Sequence, residues 1–446
     1  MQKLKLYNSL NRKLEEFKPI DENKIGMYTC GITVYDKCHL GHGKTYICSD
    51  ILFRVLKELY KNVVYVRNIT DVDDKINKRA VERGITIQEL TRENIKLMND
   101  DFKYLHLLNP TVEPKATEHI KDMISIIQKL IDNGNAYVAE GHVLFDTTTY
   151  KDYGKLSGRD TEDMIAGARI EVAPYKKNPM DFVLWKPSLD IDDDSSKFES
   201  PWSIGRPGWH IECSAMSYKY LGESFDIHCG GNDLKFPHHE NEIAQSRCAF
   251  KGSNFANYWV HVGFLLVNGE KMSKSLHNFT TIEDLKNQGI KGVAIRYAFL
   301  KNHYRTPFDF SMKLVEEADK NLTDLHKAIK DIKASEKLNE KVLEYLCDDL
   351  NTSKVLAELH TLKNTDLPAL KKAMEFLDIY DESYYQENKD LSNLNITEDE
   401  ILTLINERLE AKKNKDFKKA DEIRNLLDTR GILLKDTPSG SEWNLK

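Results

Sequence analysis

The N-terminal segment MQKLKLYNSLNRKLEEF lacks an apolar run of signal-peptide type, and no stretch of the chain reaches transmembrane length. The seven cysteines form an odd, scattered set without the spacing of a disulfide framework. Internal repeats and low-complexity tracts are also missing. We therefore expect a cytoplasmic protein without a membrane partner, whose cysteines are core residues, ligands or nucleophiles.

The composition is that of a soluble globular protein, and 446 residues are too many for a single core, so we expect two to four domains. The net charge of −7 argues against wholesale coating by nucleic acid. Between Arg408 and Lys435, however, nine basic residues stand against five acidic ones. This excess fits either a solvated helix face or a local contact with RNA phosphates. Trp443, just beyond it, is expected either to pack the terminal unit or to stack on an unpaired base.

The pattern of apolar residues divides the chain. Residues 25–70 have the texture of strand, helix and buried parallel strand, which predicts a βαβ unit of a Rossmann-like, doubly wound α/β fold. We interpret residues 116–205, with a helical face and the hairpin-like AYVAEGHVLFDT, as an inserted α+β domain. Parallel-sheet texture returns afterwards, and the chain beyond about residue 315 is mostly helical in period.

The stretch CHLGHGKTY admits two nucleotide chemistries. Gly43-Lys44-Thr45 could close a P-loop, but Cys38 stands where that loop needs its first glycine. His39, Gly41 and His42 instead fall between a strand and a helix, where free N–H groups and the helix dipole attract phosphate. Both histidines could donate hydrogen bonds to charge that develops on a phosphoryl group.

A second motif is KMSKS, in which Lys271 and Lys274 are three residues apart on a glycine-flanked loop. Two such lysines can bind a triphosphate as point charges. In this order and at this separation, the two motifs resemble the signature pair of class I aminoacyl-tRNA synthetases.

A third group of residues suggests a metal. Cys30 of the first strand, Cys213 in GWHIECSAM, and His238 and Glu242 in FPHHENEIAQS make a plausible zinc set. We expect His238 and Glu242 to lie one helical turn apart, although His239 is a rival ligand three residues from Glu242. Zinc would favour a substrate thiol over a hydroxyl of similar size.

Together with MYTCGITVYD, RNITDVDDKI and GGNDLKFPHHENEIAQS, these motifs resemble the cysteinyl-tRNA synthetase family over essentially the whole chain. The resemblance implies ATP-dependent activation of L-cysteine and its transfer to tRNA(Cys), by a monomer with one Zn²⁺ per chain and Mg²⁺ with ATP. It implies that Thr70 and Trp209 line the amino-acid pocket. Gly230 and Asp233 would contact ATP, with Asp233 on the ribose.

The resemblance also implies a division of labour along the chain. The catalytic domain would comprise residues 1–115 and 206–270, interrupted by an acceptor-stem domain at 116–205. Residues 271–315 would form the KMSKS loop and a stem-contact region, 316–390 a helical bundle, and 391–446 an anticodon-binding region. Two rival functions remain: a non-catalytic RNA-binding module, and a ligase that joins cysteine to a small amino-sugar, for which the tail from 401 would have little use.

Overall fold

The computed structural model describes residues 2–158, 173–189, 192–267, 269–271, 279–385, 394, 396–437 and 440–445. The chain divides into two compact units, residues 1–381 and 382–446. Within the described part, every helix is too short or too polar to cross a membrane.

The first unit contains several sheets and many helices. Its strands are β1 (Lys5–Asn8), β2 (Lys13–Glu16), β3 (Ile25–Thr33), β4 (Val63–Thr70), β5 (Ala136–Ala139), β6 (His142–Phe145), β7 (Phe182–Pro187), β8 (Gly205–Pro207), β9 (Ser224–Gly231), β10 (Phe255–Val262), β11 (Leu265–Val267), β12 (Glu270–Lys271) and β13 (Phe308–Phe310). Its helices are α1 (Leu40–Leu59), α2 (Asp74–Arg83), α3 (Ile87–Tyr104), α4 (Ile120–Asp132), α5 (Trp209–Leu221), α6 (Glu240–Ala249), α7 (Ile282–Asn287), α8 (Gly292–Leu300), α9 (Met312–Ile329), α10 (Glu340–Cys347), α11 (Thr352–Thr365) and α12 (Leu367–Phe376).

A four-stranded parallel sheet forms the centre of this unit, in the order β10-β9-β3-β4. Its strands are largely buried along their length, which explains why they are nearly continuous apolar runs in the sequence. The predicted unit β3-α1-β4 is present, with Met27 opposite Tyr65 and Ile32 opposite Ile69. The predicted α/β fold with a parallel sheet is therefore confirmed.

An antiparallel sheet in the order β5-β6-β7-β8 lies between the two halves of the parallel sheet in sequence. The expected hairpin is present, because β5 and β6 pair from Ala136 opposite Phe145 to Ala139 opposite His142. Both residues of its turn, Glu140 and Gly141, have positive φ. The apolar face of α4 belongs to the same core as β3 and α5, so this segment shares its core with the parallel sheet. The boundaries 116 and 205 stay a prediction.

The second unit pairs two helices with a hairpin: α13 (Glu398–Lys413), α14 (Phe417–Thr429), β14 (Ile432–Thr437) and β15 (Gly440–Leu445). Trp443 is buried in its apolar core, so of the two expected roles the structure supports packing and not base stacking. Arg408 is buried as well, and its guanidinium donates two hydrogen bonds to Asp436, at 2.7 and 3.0 Å. Arg408 therefore does not contribute to a phosphate-binding surface, although it counts towards the basic excess of the sequence.

We expect Trp443→Ala to unfold the second unit. Truncating a buried tryptophan costs about 3–5 kcal/mol, which is comparable to what a core of this size supplies. Hydrogen exchange should therefore accelerate throughout α13 and α14 while the amides of β3 and β4 keep their protection. Phe417→Ala is the control, since Phe417 lies in the same unit but is 63% exposed. Unchanged exchange in α13 would contradict the assignment of Trp443 to the core.

Candidate active site

Several of the predicted site residues lie at the carboxyl edge of the parallel sheet, where open α/β sheets bind their ligands. Cys30 lies near the end of β3, and Gly230 ends β9 together with Gly231. Cys213 lies on α5, and Glu242 lies in the first turn of α6. Strands and helices that are distant in sequence therefore deliver these groups to one place.

Four of them form a compact buried group: Cys30, Cys213, His238 and Glu242. The two sulfurs are 3.7 Å apart, and Cys213 Sγ lies 3.6 Å from His238 Nε2. Glu242 Oε1 lies 3.4 Å from Cys30 Sγ and 3.1 Å from His238 Nε2. His238 precedes α6 in a separate turn, so it does not share a regular helix with Glu242 as expected, yet the two side chains still meet.

These separations fit the edges of a tetrahedron around zinc. Zinc–sulfur and zinc–nitrogen bonds of about 2.3 and 2.1 Å imply edges of about 3.8 Å between sulfurs and about 3.3–3.6 Å for the other pairs. Burial raises the pKa of the Cys30 and Cys213 thiols, and the charge of Glu242 adds to the rise at both. A bound cation would reverse that effect by stabilising thiolates. The residues therefore fit the metal that the sequence predicts.

A rival group shares Cys30 and Glu242 but adds His228 and His239. Its separations are uneven, because His228 Nε2 is 2.8 Å from Glu242 Oε2 while His239 Nε2 is 4.0 Å from Glu242 Oε1. This group also offers one thiol instead of two. The geometry therefore favours His238 over His239 as a ligand.

Three histidines that the sequence analysis did not single out, His210, His228 and His261, lie around the four-residue group. His210 and His238 meet through their Nδ1 atoms at 2.9 Å, which leaves His238 Nε2 directed at Cys213. His228 holds the second oxygen of Glu242, and His261 Nε2 lies 2.8 Å from His239 Nδ1. Such outer contacts orient metal ligands. A histidine inside a buried, β-branched run, as in FDIHCGG and YWVHVGF, is the signal that would have indicated them.

The two residues expected in the amino-acid pocket border this group. The Trp209 ring lies 4.1 Å from the His238 ring, and Trp209 is 36% exposed. The Thr70 hydroxyl donates to Glu212 at 2.7 Å, and Asn68 donates to the same hydroxyl oxygen at 3.3 Å. Asn68 also accepts from the N–H of Gly31 at 2.8 Å, beside Cys30. Asn68 and Glu212, which the sequence analysis did not single out within these motifs, thus contact the predicted pocket residue Thr70.

His39 and His42 lie at the start of α1, as the sequence predicts. His39 is the N-cap, and each Nδ1 accepts the other residue's backbone N–H at 3.3 Å. The rings stack with centroids 3.6 Å apart. Burial and the neighbouring His39 hold the pKa of His42 well below its usual value, so His42 is a neutral imidazole. Because each Nδ1 accepts, each Nε2 carries the proton and is a donor.

Gly41, Gly230 and Asp233 are the other residues near the sheet that the sequence predicts to contact ATP. Gly41 lies half-buried in the first turn of α1. A Cβ on Gly231 would lie 2.4 Å from Asp233 Oδ1 and 3.8 Å from Thr45 Oγ1, so Asp233 folds back over the end of β9, close to α1. A Cβ on Gly230 would lie 2.6 Å from His239, so this position requires glycine.

The KMSKS motif is only partly described. Lys271 lies in β12, where its backbone pairs with Leu266 of β11. Lys274 lies outside the described residues, so the contact of both lysines with ATP stays a prediction. Lys44, the lysine of the rejected P-loop, donates to backbone carbonyls and does not form a phosphate loop.

Comparisons with known proteins agree with this geometry. Residues 16–320 match the family model of the class I (C) tRNA synthetase catalytic domain. The cysteine--tRNA ligase of Methylocella silvestris is 50% identical over 99% of this chain and 99% of its own length. That of Gluconobacter oxydans is 47% identical over 99% and 98%.

Solved structures show the same fold at low sequence identity. Mycobacterium tuberculosis methionyl-tRNA synthetase in complex with methionyl-adenylate has a TM-score of 0.56 at 13% identity, covering 80% of this chain and 90% of its own. The Agrobacterium radiobacter K84 LeuRS-tRNA-LeuAMS complex has a TM-score of 0.58 at 11% identity, covering 85% and 86%. From the match to the family model over residues 16–320 and the match to curated relatives over nearly its full length, the chain belongs to the cysteine--tRNA ligase family of class I tRNA synthetases.

Proposed function

We propose that this protein activates L-cysteine with ATP and transfers the cysteinyl group to the 3′ end of tRNA(Cys). The observation that carries the proposal is the buried set of two thiols, one imidazole and one carboxylate beside Trp209, in a chain that matches cysteine--tRNA ligases over 99% of its length. The amino-sugar ligase hypothesis is weakened by the same match, because the shared length includes the second unit.

In the first step, a carboxylate oxygen of cysteine attacks the α-phosphorus of ATP, the bond to the β-phosphate breaks, and diphosphate leaves. The carboxylate is already ionised at pH 7, so the step needs no general base. The Nε2–H groups of His39 and His42 and the N-terminus of α1 stabilise the charge that develops on the phosphoryl oxygens. Lys271 and Lys274 would bind the leaving diphosphate by the same electrostatic principle, and Mg²⁺ brought with ATP would supply further charge neutralisation there.

We assign the discrimination between cysteine and serine to the four residues that form the candidate metal site. Cys30, Cys213, His238 and Glu242 would hold zinc, which is a soft Lewis acid and prefers a thiolate to a hydroxyl. Trp209, whose ring lies against His238, and Thr70, whose hydroxyl donates to Glu212, would line the pocket for the cysteine substrate. Contacts with the cavity wall alone would separate the two side chains only weakly, roughly 10- to 200-fold for one group. In the second step, a ribose hydroxyl at the tRNA end attacks the cysteinyl carbonyl and AMP leaves.

The decisive test is cysteine-dependent exchange of pyrophosphate into ATP, measured on the whole chain with and without a zinc chelator. We expect exchange with cysteine, a much slower exchange with serine, and loss of the cysteine reaction on chelation. Charging of tRNA(Cys) should follow the same pattern. Equal exchange with cysteine and serine would overturn the assignment of specificity, and no exchange at all would overturn the activity.

We further propose that the second unit binds tRNA, and we expect the double variant Lys418→Glu/Lys419→Glu to impair charging but not exchange. Both lysines are exposed on α14, and they remain in the basic excess after Arg408 is removed from it. Losing two phosphate contacts weakens tRNA binding. The slope of the logarithm of the binding constant against the logarithm of the salt concentration should become smaller in magnitude by roughly two. Cysteine-dependent exchange requires no tRNA and should be unchanged.

The matched control is Lys61→Glu/Lys251→Glu. This pair has the same charge change, but it precedes β4 and β10 at the opposite edge of the sheet from the site. Charging and its salt dependence should stay as in the parent protein. If both double variants weaken tRNA binding equally, net charge and not α14 is responsible.

A further inference from the structure

Lys44 is a buried cation that the proposed chemistry leaves unused. It lies on α1 two residues after His42 and is only 4% exposed. Its ammonium donates to the carbonyls of Gly263 at 2.8 Å and Thr306 at 2.9 Å, and Phe264 O lies at 3.4 Å. Three donors therefore meet three main-chain acceptors, which is a complete set for an ammonium group.

Two of these carbonyls lie on the segment that leads to Lys271, and the third lies before the strand that pairs with that segment. Gly263 and Phe264 connect β10 to β11, and β11 pairs with β12, which carries Lys271. Thr306 precedes β13, which pairs with β11 in parallel from Leu265 opposite Phe308. Lys44 thus binds the two segments that lead into β11 and β13, where the small sheet β12-β11-β13 begins; we call this point the root of the sheet.

The two segments cross so closely that their carbonyls crowd together. A Cβ on Gly263 would lie 2.5 Å from the carbonyl oxygens of both Arg305 and Thr306. The N–H of Gly263 already donates to Tyr304 O at 2.8 Å. Converging carbonyl dipoles repel one another unless a cation lies among them, and Lys44 places its charge at that point.

The far end of the same stretch is also held on the start of α1. The N–H of Leu40 donates to Thr280 O at 3.2 Å, and the N–H of Ile282 donates to Cys38 O at 3.1 Å. The segment that begins after Phe264 and returns at Thr280 is therefore attached at both ends to the first turns of the helix that presents His39 and His42.

We propose that Lys44 is a positioning residue for the activation reaction: its ammonium holds the root of the lysine-bearing segment in register with His39 and His42. This inference rests on the proposed function, because the register matters only if Lys271 and Lys274 act on the same triphosphate as the two histidines. A misplacement of about 1 Å is enough to cost roughly 100-fold in rate.

The burial of Lys44 has a consequence for pH. Burial lowers the pKa of Lys44 to about 8. The titratable groups near it are Cys48 on α1 and Tyr304, which lines the same cavity and donates to Asp349 at 2.7 Å. Burial raises the pKa of Cys48 and Tyr304, so neither changes charge near pH 8.

Because the folded pKa lies below the usual value, the protonated form is present below about pH 8 and is lost as the pH rises through it. A neutral amine has one donor fewer and turns a lone pair towards the carbonyls. We therefore expect the contribution of Lys44 to the rate of cysteine activation to decrease above about pH 8.

The test compares Lys44→Met with Lys44→Arg in the full-length protein. Lys44→Met should slow cysteine-dependent exchange by roughly 10- to 100-fold and raise the KM for ATP, with zinc content and the KM for cysteine unchanged. Lys44→Arg keeps the charge at all accessible pH values, so it should restore the rate and remove an alkaline decline near pH 8. Lys57→Met, an exposed lysine in the last turn of α1, is the control and should behave as the parent.

Hydrogen exchange provides a readout that does not depend on activity. The amides of β11 and β13 should exchange faster in Lys44→Met and be protected again in Lys44→Arg. Unchanged exchange there, or a parallel loss of zinc and cysteine affinity, would overturn the inference. Faster amide exchange together with no cysteine-dependent activity in the parent protein would overturn the proposed function and leave Lys44 as an anchor of the fold alone.

Discussion

Cys213→Ser should abolish tight zinc binding and reduce cysteine activation by more than about 100-fold, because substitutions that merely disturb the orientation of a ligand already cost 10- to 100-fold. Cys213 contributes one of only two thiols in the group and touches both Cys30, at 3.7 Å, and His238, at 3.6 Å. A serine hydroxyl in its place is a harder and weaker ligand that stays protonated near neutral pH. The measurements are metal content by elemental analysis and cysteine-dependent pyrophosphate exchange.

Cys248→Ser is the matched control. Cys248 is a buried cysteine on α6, as deeply packed as a core residue but outside both candidate metal groups. This variant should keep one zinc per chain and the parent rate, even if its melting temperature falls slightly. A fully active Cys213→Ser protein without metal would contradict the role of zinc in selecting cysteine over serine.

His42→Ala should slow formation of the adenylate by roughly 10²- to 10³-fold, which is the effect of losing one preorganised donor to charge in the transition state. Cysteine affinity should change little, because His42 lies on α1 and not among Cys30, Cys213, His238 and Glu242. The neutral imidazole donates through Nε2, so the effect should be the same at pH 6.5 and pH 8. Single-turnover formation of the adenylate measures it directly.

His42→Gln separates this donor from the structural role of the same residue. A glutamine at the third helical position can accept the N–H of the N-cap residue and restore the reciprocal cap made by His39 and His42. The thermal stability of His42→Gln should therefore equal that of the parent, while its rate stays low. If the rate recovers together with stability, His42 acts through the cap and not as a donor.

The two signature motifs and the metal set illustrate what can be inferred from sequence. His39 and His42 are expected at the start of a helix because a strand-like run, a glycine and an apolar helical period follow one another within a few residues. The four metal-set residues follow from their chemistry and from resemblance, and the structure brings all four together. The sequence analysis predicted His238 and kept His239 as a rival, because neighbouring positions in a turn differ in direction and not in composition.

The outer shell of the site was not predictable in the same way. His228 and His261 lie in buried strands, where their neighbours in sequence are apolar and indicate only a strand. Their partners, Glu242 and His239, come from another part of the chain. Arg408 shows the opposite error, since a basic residue in a lysine-rich helix is expected to be a surface charge, yet this one is buried against Asp436.

The sequence by itself determined the local elements of this protein: the βαβ unit, the N-terminus of α1 at His39 and the hairpin of β5 and β6, because periodicity and capping act within one or two turns. The tertiary structure decided which charged and polar groups lie inside. Cys30, Cys213 and Glu242 meet only because the parallel strand order and register bring their segments together. Lys44 became a buried anchor for the same reason: its acceptors, Gly263 and Thr306, lie more than two hundred residues away, and no local pattern encodes that encounter.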